Sequence, residues 1–125
     1  MLVGVLELTL ELAGNHSLKA KRKVISSLMG RVKARFNVAT AEVGAQDRHD
    51  LAVLGFTVCG SEAKILNSVL DHLRNFIEDN AEAEVVDIMM DCQVWDESET
   101  WGERLDDPAS LDHGGLNEPE TPGKG

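Results

Sequence analysis

The first candidate for chemistry in this 125-residue chain is a polar segment, Gln46-Asp47-Arg48-His49-Asp50, which brings together acids, a base and an imidazole. An imidazole beside a carboxylate is a combination that can transfer protons. Catalysis also needs a pocket and a third orienting group, and nothing in the sequence indicates either. We therefore predict that the protein is not an enzyme. Four residues of this segment remain loop candidates: Gln46, Asp47, Arg48 and His49.

The second candidate is a strongly basic stretch over residues 17–36, which contains seven lysines and arginines and no acid. Basic side chains that neutralise phosphates release counterions, so such a stretch favours binding of RNA or another polyanion. The alternative is an ordinary solvated helix face, and the residues alone leave both interpretations open. Free amides at the start of a helix also attract phosphate, although plain capping is the favoured role of Ser17. The polyanion-binding candidates are His16, Ser17, Lys19, Lys21, Arg22, Lys23, Arg31, Lys33 and Arg35.

Metal and cofactor chemistry is not indicated. Cys59 and Cys92 have neither CxxC nor Cys/His spacing, and His72 and His113 have no companion ligands at metal spacing. The sequence contains no phosphate-binding loop, dinucleotide fingerprint or nucleophile motif. We predict two free thiols, no metal and no cofactor.

The acidity of the chain is concentrated at its end. Residues 1–92 carry 10 lysines and arginines against 13 acids, whereas residues 93–125 carry 2 against 9. The end is also rich in Gly, Pro and Ser, a composition typical of disorder. We predict a folded domain over 1–95 and an acidic disordered tail over 96–125. Because no signal-peptide pattern or apolar run of about 18 residues occurs, we expect a cytoplasmic protein without a membrane partner.

Periodicity predicts the elements that position these residues. Strict alternation indicates a first strand whose buried face is Leu6, Leu8, Leu10 and Leu12, with Glu7, Thr9 and Glu11 opposite. After an N-cap at Ser17, a helical stripe of apolar residues follows: Leu18, Ile25, Leu28, Val32 and Phe36. Lys19, Lys23 and Lys33 then fall on the solvent side. Residues 37–43 and 51–59 are predicted to be two strands that pair as a hairpin.

The second half repeats this arrangement. Gly60-Ser61 is expected to cap a second helix, and its predicted buried stripe is Ile65, Leu66, Val69, Leu73, Phe76 and Ile77. Residues 84–95 are predicted to form a fourth strand, with Val86, Ile88 and Met90 inward and Asp87, Met89 and Asp91 outward. Two β-α-β crossovers joined by a hairpin predict an α+β, ferredoxin-like fold. It has a four-stranded antiparallel sheet of order 4-1-3-2 and two helices on one face.

Several short motifs carry a resemblance to a known family. They are Gly4-Val-Leu, His16-Ser-Leu-Lys-Ala-Lys-Arg22, Phe36-Asn-Val38, Ala41-Glu-Val-Gly44 with Gln46-Asp47, and Glu84-Val-Val-Asp87. Over about residues 2–92 the chain resembles the YlxP-like family of uncharacterised bacterial proteins. The resemblance implies a ferredoxin-like fold and a gene often placed among translation and ribosome-maturation factors, without a settled activity. It therefore favours a ribosome-linked role.

Three hypotheses about function follow. The first is an RNA- or ribosome-associated binding protein that uses the basic helix, with no DNA specificity indicated. The second is a protein-interaction or homodimerisation module that uses the open sheet face or an edge strand. The third and weakest is a small-molecule sensor. An RNA-recognition-motif mode is disfavoured because the open face should carry acids and no aromatic residue.

The tail permits a further hypothesis. Residues 95–101 mix Trp95 and Trp101 with acids, and such a segment can fold back on the basic helix and compete with a polyanion. The favoured interpretation is a solubilising tail, with Trp95 completing the last strand.

Overall fold

The computed structural model describes residues 1–96, which follow the order β-α-β-β-α-β. The strands are β1 (Leu2–Glu11), β2 (Ala39–Gly44), β3 (Leu51–Gly60) and β4 (Glu84–Val94). The helices are α1 (Leu18–Arg35) and α2 (Ala63–Asn80). These elements lie within one unit, Met1–Val94. The acidic tail is predicted over residues 96–125, of which residues 97–125, with Trp101 and His113, lie outside the described residues. Strand β4 ends at Val94, so the prediction that Trp95 completes the strand is wrong.

The four strands form one antiparallel sheet of order β2-β3-β1-β4, which is the predicted order counted from the other edge. The central strand β1 pairs with two neighbours, so that Leu6 lies opposite Phe56 of β3 and Met90 of β4. Strand β2 pairs with β3 as a hairpin. The predicted ferredoxin-like fold is confirmed.

The core lies between one sheet face and the two helices. Leu6, Leu8 and Leu10 of β1 are at most 1% exposed, as their alternation predicts. Facing them, α1 buries Ile25, Leu28 and Val32, and α2 buries Leu66, Leu70, Leu73 and Ile77. Both helices bury side chains with this face of the sheet, and among residues 1–96 no helix packs on the opposite face, which we call the open face.

Helix α2 packs closely over the N-terminal half of β1. A Cβ atom added at buried Gly4 would lie 3.1 Å from Cγ1 of Val58 and 3.2 Å from Cδ1 of Leu70. Both distances are tighter than ordinary van der Waals contact, so the glycine sets how near the helix lies to the sheet.

Three predictions about the helices are wrong in detail. Leu18 is 37% exposed and Ile65 is 55% exposed, whereas Leu70 is buried and was not predicted. The first buried positions of α2 are Leu66 and Leu70, four residues apart, which places Ile65 beside the stripe. Ser61 does not cap α2, because the helix begins at Ala63 and its N-cap residue is Glu62. Ser17 does cap α1 and accepts from the amide of Ala20 at 3.1 Å.

Strand β4 contains an irregularity that alternation alone does not reveal. Thr9 of β1 pairs with Asp87, but the next residue, Leu10, pairs with Val85, so Val86 is an extra residue on β4. A bulge of this kind reverses the alternation on one side of it. Val85 therefore packs against the core, and the prediction that Val86 points inward is wrong because Val86 is 47% exposed.

Within residues 1–96, neither helix combines the length and apolar character that crossing a bilayer requires.

Candidate nucleic-acid interface

The basic residues of α1 separate into groups with different surroundings. Ser17 fixes the start of the helix, and the helical period then places six cations on the exposed surface: Lys19, Arg22, Lys23, Arg31, Lys33 and Arg35. His16, the residue before the cap, is also exposed. The predicted basic helix is therefore present, but its cations are not equivalent.

Four of the cations have no hydrogen-bond or ion-pair partner within residues 1–96. We call them the free strip: Lys19, Arg22, Lys23 and Lys33. At ~1.5 Å per residue the strip extends about 21 Å along α1. Lys19 and Lys23 are one turn apart and point away from the core, while Arg22 and Lys33 share one flank of the helix. Such a strip presents its full charge to solvent.

The remaining two exposed cations contact the second helix and the segment after it. Arg31 donates from Nη1 to the carbonyl of Asn80 at 3.3 Å, and its Nη2 lies 3.6 Å from Oε2 of Glu82. The guanidinium of Arg35 lies 5.0 Å from the ring centroid of Phe76, within cation–π range. These contacts lie on the flank of α1 that faces α2. Arg31 and Arg35 thus help to join the two helices.

The structure places Lys21 away from the polyanion surface to which the sequence assigns it. Its side chain is 2% exposed, and Nζ donates to the carbonyls of Ala45 and Arg48, each at 2.7 Å. Nζ also lies 2.9 Å from Oε2 of Glu42. With two carbonyl acceptors and a carboxylate counter-charge around its ammonium group, Lys21 binds the β2–β3 loop and cannot meet an external anion. The inclusion of Lys21 in the surface is corrected.

The position of Lys21 has a signal in the sequence. It precedes Ile25 by four residues and Leu28 by seven, so it lies on the apolar stripe of α1. A lysine at such a position must find buried acceptors, because an isolated buried charge is very costly. That spacing marks Lys21 as a structural residue.

The β2–β3 loop contains the four loop candidates and is tied to α1. Gln46 donates from Nε2 to the carbonyl of Glu42 at 3.0 Å, and Ala45 has a positive φ of 54°. Asp47 and His49 are exposed. With Lys21 bonded to the carbonyls of Ala45 and Arg48, the loop is held over the first turns of the helix.

Arg48 is paired within the loop itself. Its Nε and Nη2 donate to the two carboxylate oxygens of Asp50 at 3.0 and 2.8 Å, a bidentate pair. The hydrogen bond from Arg48 lowers the pKa of Asp50 against a smaller opposing effect of desolvation, and the same bond raises the pKa of Arg48. Because Asp50 neutralises Arg48, this loop adds little positive charge to the free strip.

The structure brings His16 and His49 together, although they are 33 residues apart in sequence. Their ring centroids are 6.5 Å apart. Nδ1 of His49 lies 2.9 Å from the carbonyl oxygen of Asn15, and the Asn15 side-chain amide donates to the carbonyls of His49 and Ser17. Two groups of candidates that the sequence suggests separately therefore meet at the start of α1.

The other candidate groups are dispersed. Cys59 is exposed and Cys92 is half-buried, and both are free thiols. His72 is exposed on α2. Within residues 1–96, no three His, Cys, Asp or Glu side chains are grouped so that they could hold a metal ion.

Comparison with known proteins places the sequence in a family. The model of the family "Protein of unknown function (DUF503)" matches residues 3–90. The chain belongs to this family. The match extends from β1 into β4 and so includes α1, the β2–β3 loop and the free strip. Membership in DUF503 assigns no activity to them.

Two further comparisons add little. No curated protein matches the sequence. Among solved structures, the chain is similar to "De novo designed protein Foldit4", with a TM-score of 0.44 and 9% sequence identity. That similarity covers 76% of this chain and 98% of the designed one.

Proposed function

We propose that this DUF503 domain binds RNA, in a ribosome-linked role, through the free strip of α1, without catalysis. The observation that carries the proposal is the presence of four exposed cations without partners on one helix, within residues 1–96. Surface lysines and arginines more often alternate with acids, which limits their attraction for a polyanion. Here residues 17–36 contain no acid.

The length of the strip suits a phosphate backbone. About 21 Å of helix is long enough to meet several consecutive phosphates of one strand. Each phosphate that is neutralised releases counterions, so four contacts predict a salt slope of about −3 for a single strand. Binding of this type reads charge and shape more than sequence.

The resemblance to YlxP-like proteins supports RNA over other polyanions. That family implies a gene among translation and ribosome-maturation factors, where structured RNA is the abundant polyanion. The exposed His16 and His49 rings at the start of α1 offer further polar groups and extend the proposed contact beyond α1.

The test is a pair of charge-reversal variants with equal changes in net charge. In Lys19→Glu/Lys23→Glu the strip loses two cations, whereas in Lys64→Glu/Arg74→Glu two cations of α2 are reversed. Binding to ribosomal subunits and to a structured RNA is measured by co-sedimentation at several salt concentrations. We expect the first variant to bind at least about tenfold more weakly, with a slope smaller by about 1.4.

The control variant distinguishes loss of the α1 surface from a general effect of net charge on RNA binding. It should weaken binding much less, because Lys64 and Arg74 lie on a different helix. Equal losses in the two variants would show that the overall charge, not α1, governs binding. Absence of binding by the folded wild-type protein would exclude the proposal.

A further inference from the structure

The open face of the sheet combines exposed apolar side chains with acids. Met89 of β4 is 57% exposed and Val43 of β2 is 51% exposed. Val43 lies over Gly55 on this face, since a Cβ atom added at Gly55 would be 3.0 Å from its Cγ1. Between these edges lie the half-buried valines of the central strands, Val3, Val5 and Val53. No helix or strand of the described part of the chain packs on the face.

The charge on this face has one sign. Glu7 lies opposite Met89, and Asp91 lies opposite Val5, so acids alternate with the apolar residues across β1 and β4. The acids of the face are Glu7, Glu11, Glu84, Asp87 and Asp91. None of the four strands contains a lysine, arginine or histidine. The face is therefore negative, whereas α1 on the opposite side of the sheet is positive.

The area of the face is close to that of a protein contact. With strands spaced ~4.8 Å apart and a rise of ~3.4 Å per residue, the four strands present roughly 600 Å² on one side. A standard protein interface buries about 800 Å² per partner.

The single sign of the charge selects the kind of partner. A two-fold dimer places the same patch on both sides of the contact. Two copies packed through this face would therefore bring ten acids together without one base, and like charges disfavour such a contact. Nucleic acid is repelled for the same reason. A basic surface with apolar side chains between its cations is complementary.

We propose that the open sheet face docks a basic amphipathic segment of another protein. Its lysines and arginines would lie against Glu7, Asp87 and Asp91, and its apolar side chains against the valines and Met89. This function is separate from RNA binding, because it uses the opposite side of the sheet. The domain then has two surfaces for partners of opposite charge.

The probe is a dye-labelled amphipathic Lys–Leu peptide of about 18 residues, a helix of ~27 Å, titrated against the full-length chain by fluorescence anisotropy. A Lys–Ser peptide of equal length and charge tests the apolar contribution. We expect the Lys–Leu peptide to bind more tightly, by about tenfold or more, since both peptides present the same charge but only one buries apolar area.

Two neutralised variants of the chain locate the contact. In the face variant, Glu7→Gln, Glu11→Gln, Asp87→Asn and Asp91→Asn remove four of the five acids of the open face. In the tail variant, Glu97→Gln, Glu99→Gln, Asp106→Asn and Asp107→Asn remove the same number of charges elsewhere. We expect the face variant to weaken Lys–Leu binding about tenfold or more and the tail variant to leave it within about threefold. Circular dichroism checks that both variants are folded.

Several results would overturn the proposal. Equal weakening in the two variants would mean that the peptide senses total acidity, and equal binding of the two peptides would mean that the apolar residues take no part. Sedimentation equilibrium is expected to show a monomer. A dimer that Met89→Asp dissociates would instead assign the face to a second copy of the chain. RNA binding by the face variant is measured in parallel, so that failure of this proposal is distinguished from failure of the α1 proposal.

Discussion

The ammonium nitrogen of Lys21 lies 2.9 Å from Oε2 of Glu42, and this pair joins the first turn of α1 to the hairpin that follows the helix. Glu42 is 26% exposed, whereas Lys21 is 2% exposed. Lys21 also donates to two carbonyls of the β2–β3 loop. One side chain therefore fixes a helix, a strand and a loop relative to one another.

We expect Lys21→Met to destabilise the domain by about 3 kcal/mol, because it leaves the Glu42 carboxylate without its counter-charge and two carbonyls without their donor. Urea unfolding measures the effect. Lys19→Met is the matched control, since Lys19 is exposed and has no partner within residues 1–96, and it should change the free energy of unfolding by less than about 0.5 kcal/mol. Equal stability of the two variants would contradict the structural role of Lys21.

The Arg48–Asp50 pair predicts a pH dependence of stability. The hydrogen bond from Arg48 lowers the pKa of Asp50 in the folded state below its ordinary value of 3.8. A lowered pKa stabilises the fold above pH 3.8, and this contribution is lost as the pH falls through the lower, folded-state pKa. Asp50→Asn should therefore lower the urea midpoint at pH 7 and have less effect near pH 3.

Asp47→Asn supplies the comparison for Asp50, because Asp47 lies in the same loop and is exposed. Its urea midpoint should follow that of the wild-type protein at both pH values. If Asp50→Asn and wild type differ by the same amount at pH 7 and pH 3, the pair does not account for the pH dependence.

Two glycines predict opposite effects of the same substitution. At Gly4 an added methyl group meets Val58 and Leu70, so Gly4→Ala should destabilise the protein by about 1–2 kcal/mol through overpacking. At Gly30, within α1, nothing lies within 4 Å of the added atom. Gly30→Ala should stabilise by about 0.5–1 kcal/mol because alanine has the higher helix propensity. Thermal and urea unfolding of both variants measure whether the two changes in the free energy of unfolding have opposite signs.

The two serines that the sequence assigns to helix starts are also distinguishable. Ser17→Ala should destabilise the domain by about 1 kcal/mol, because the Ser17 hydroxyl accepts from the amide of Ala20. Ser61→Ala should change stability by less than about 0.5 kcal/mol, because α2 begins beyond it, at Ala63. If Ser61→Ala destabilised the domain as much as Ser17→Ala, Ser61 would have the capping role that the sequence predicts.

Local pattern predicts the elements well but not the contacts between them. The alternation of Leu6, Leu8 and Leu10 fixes both the strand and its buried face, since the period of a strand is two. The same rule fails at Val86. The bulge there arises from how β4 pairs with β1, and the sequence of β4 alone does not determine that pairing. A strand residue next to an irregular pairing is thus one that alternation misplaces.

In the candidate interface, too, the sequence predicts which residues are exposed but not which contacts they make. The helical period correctly identifies Lys19 and Lys23 as exposed. It does not identify the acceptors of Lys21, which come from residues 24 and 27 positions later in the chain. Arg31 likewise donates to Asn80, 49 positions away. Whether a cation is free or paired is decided by the acceptors that the fold brings to it.

The bulge of β4 has a consequence for the free edge of the sheet. Strand β4 is an outer strand of 11 residues, and an outer strand of that length is a template on which another chain can add. The extra residue Val86 interrupts the regular spacing of amides and carbonyls along this template. Two antiparallel copies of β4 centred on Met89 would also set Asp87 opposite Asp91, and like charges directly opposite are destabilising. The irregularity and the acids together protect the domain against fibrous aggregation from that edge.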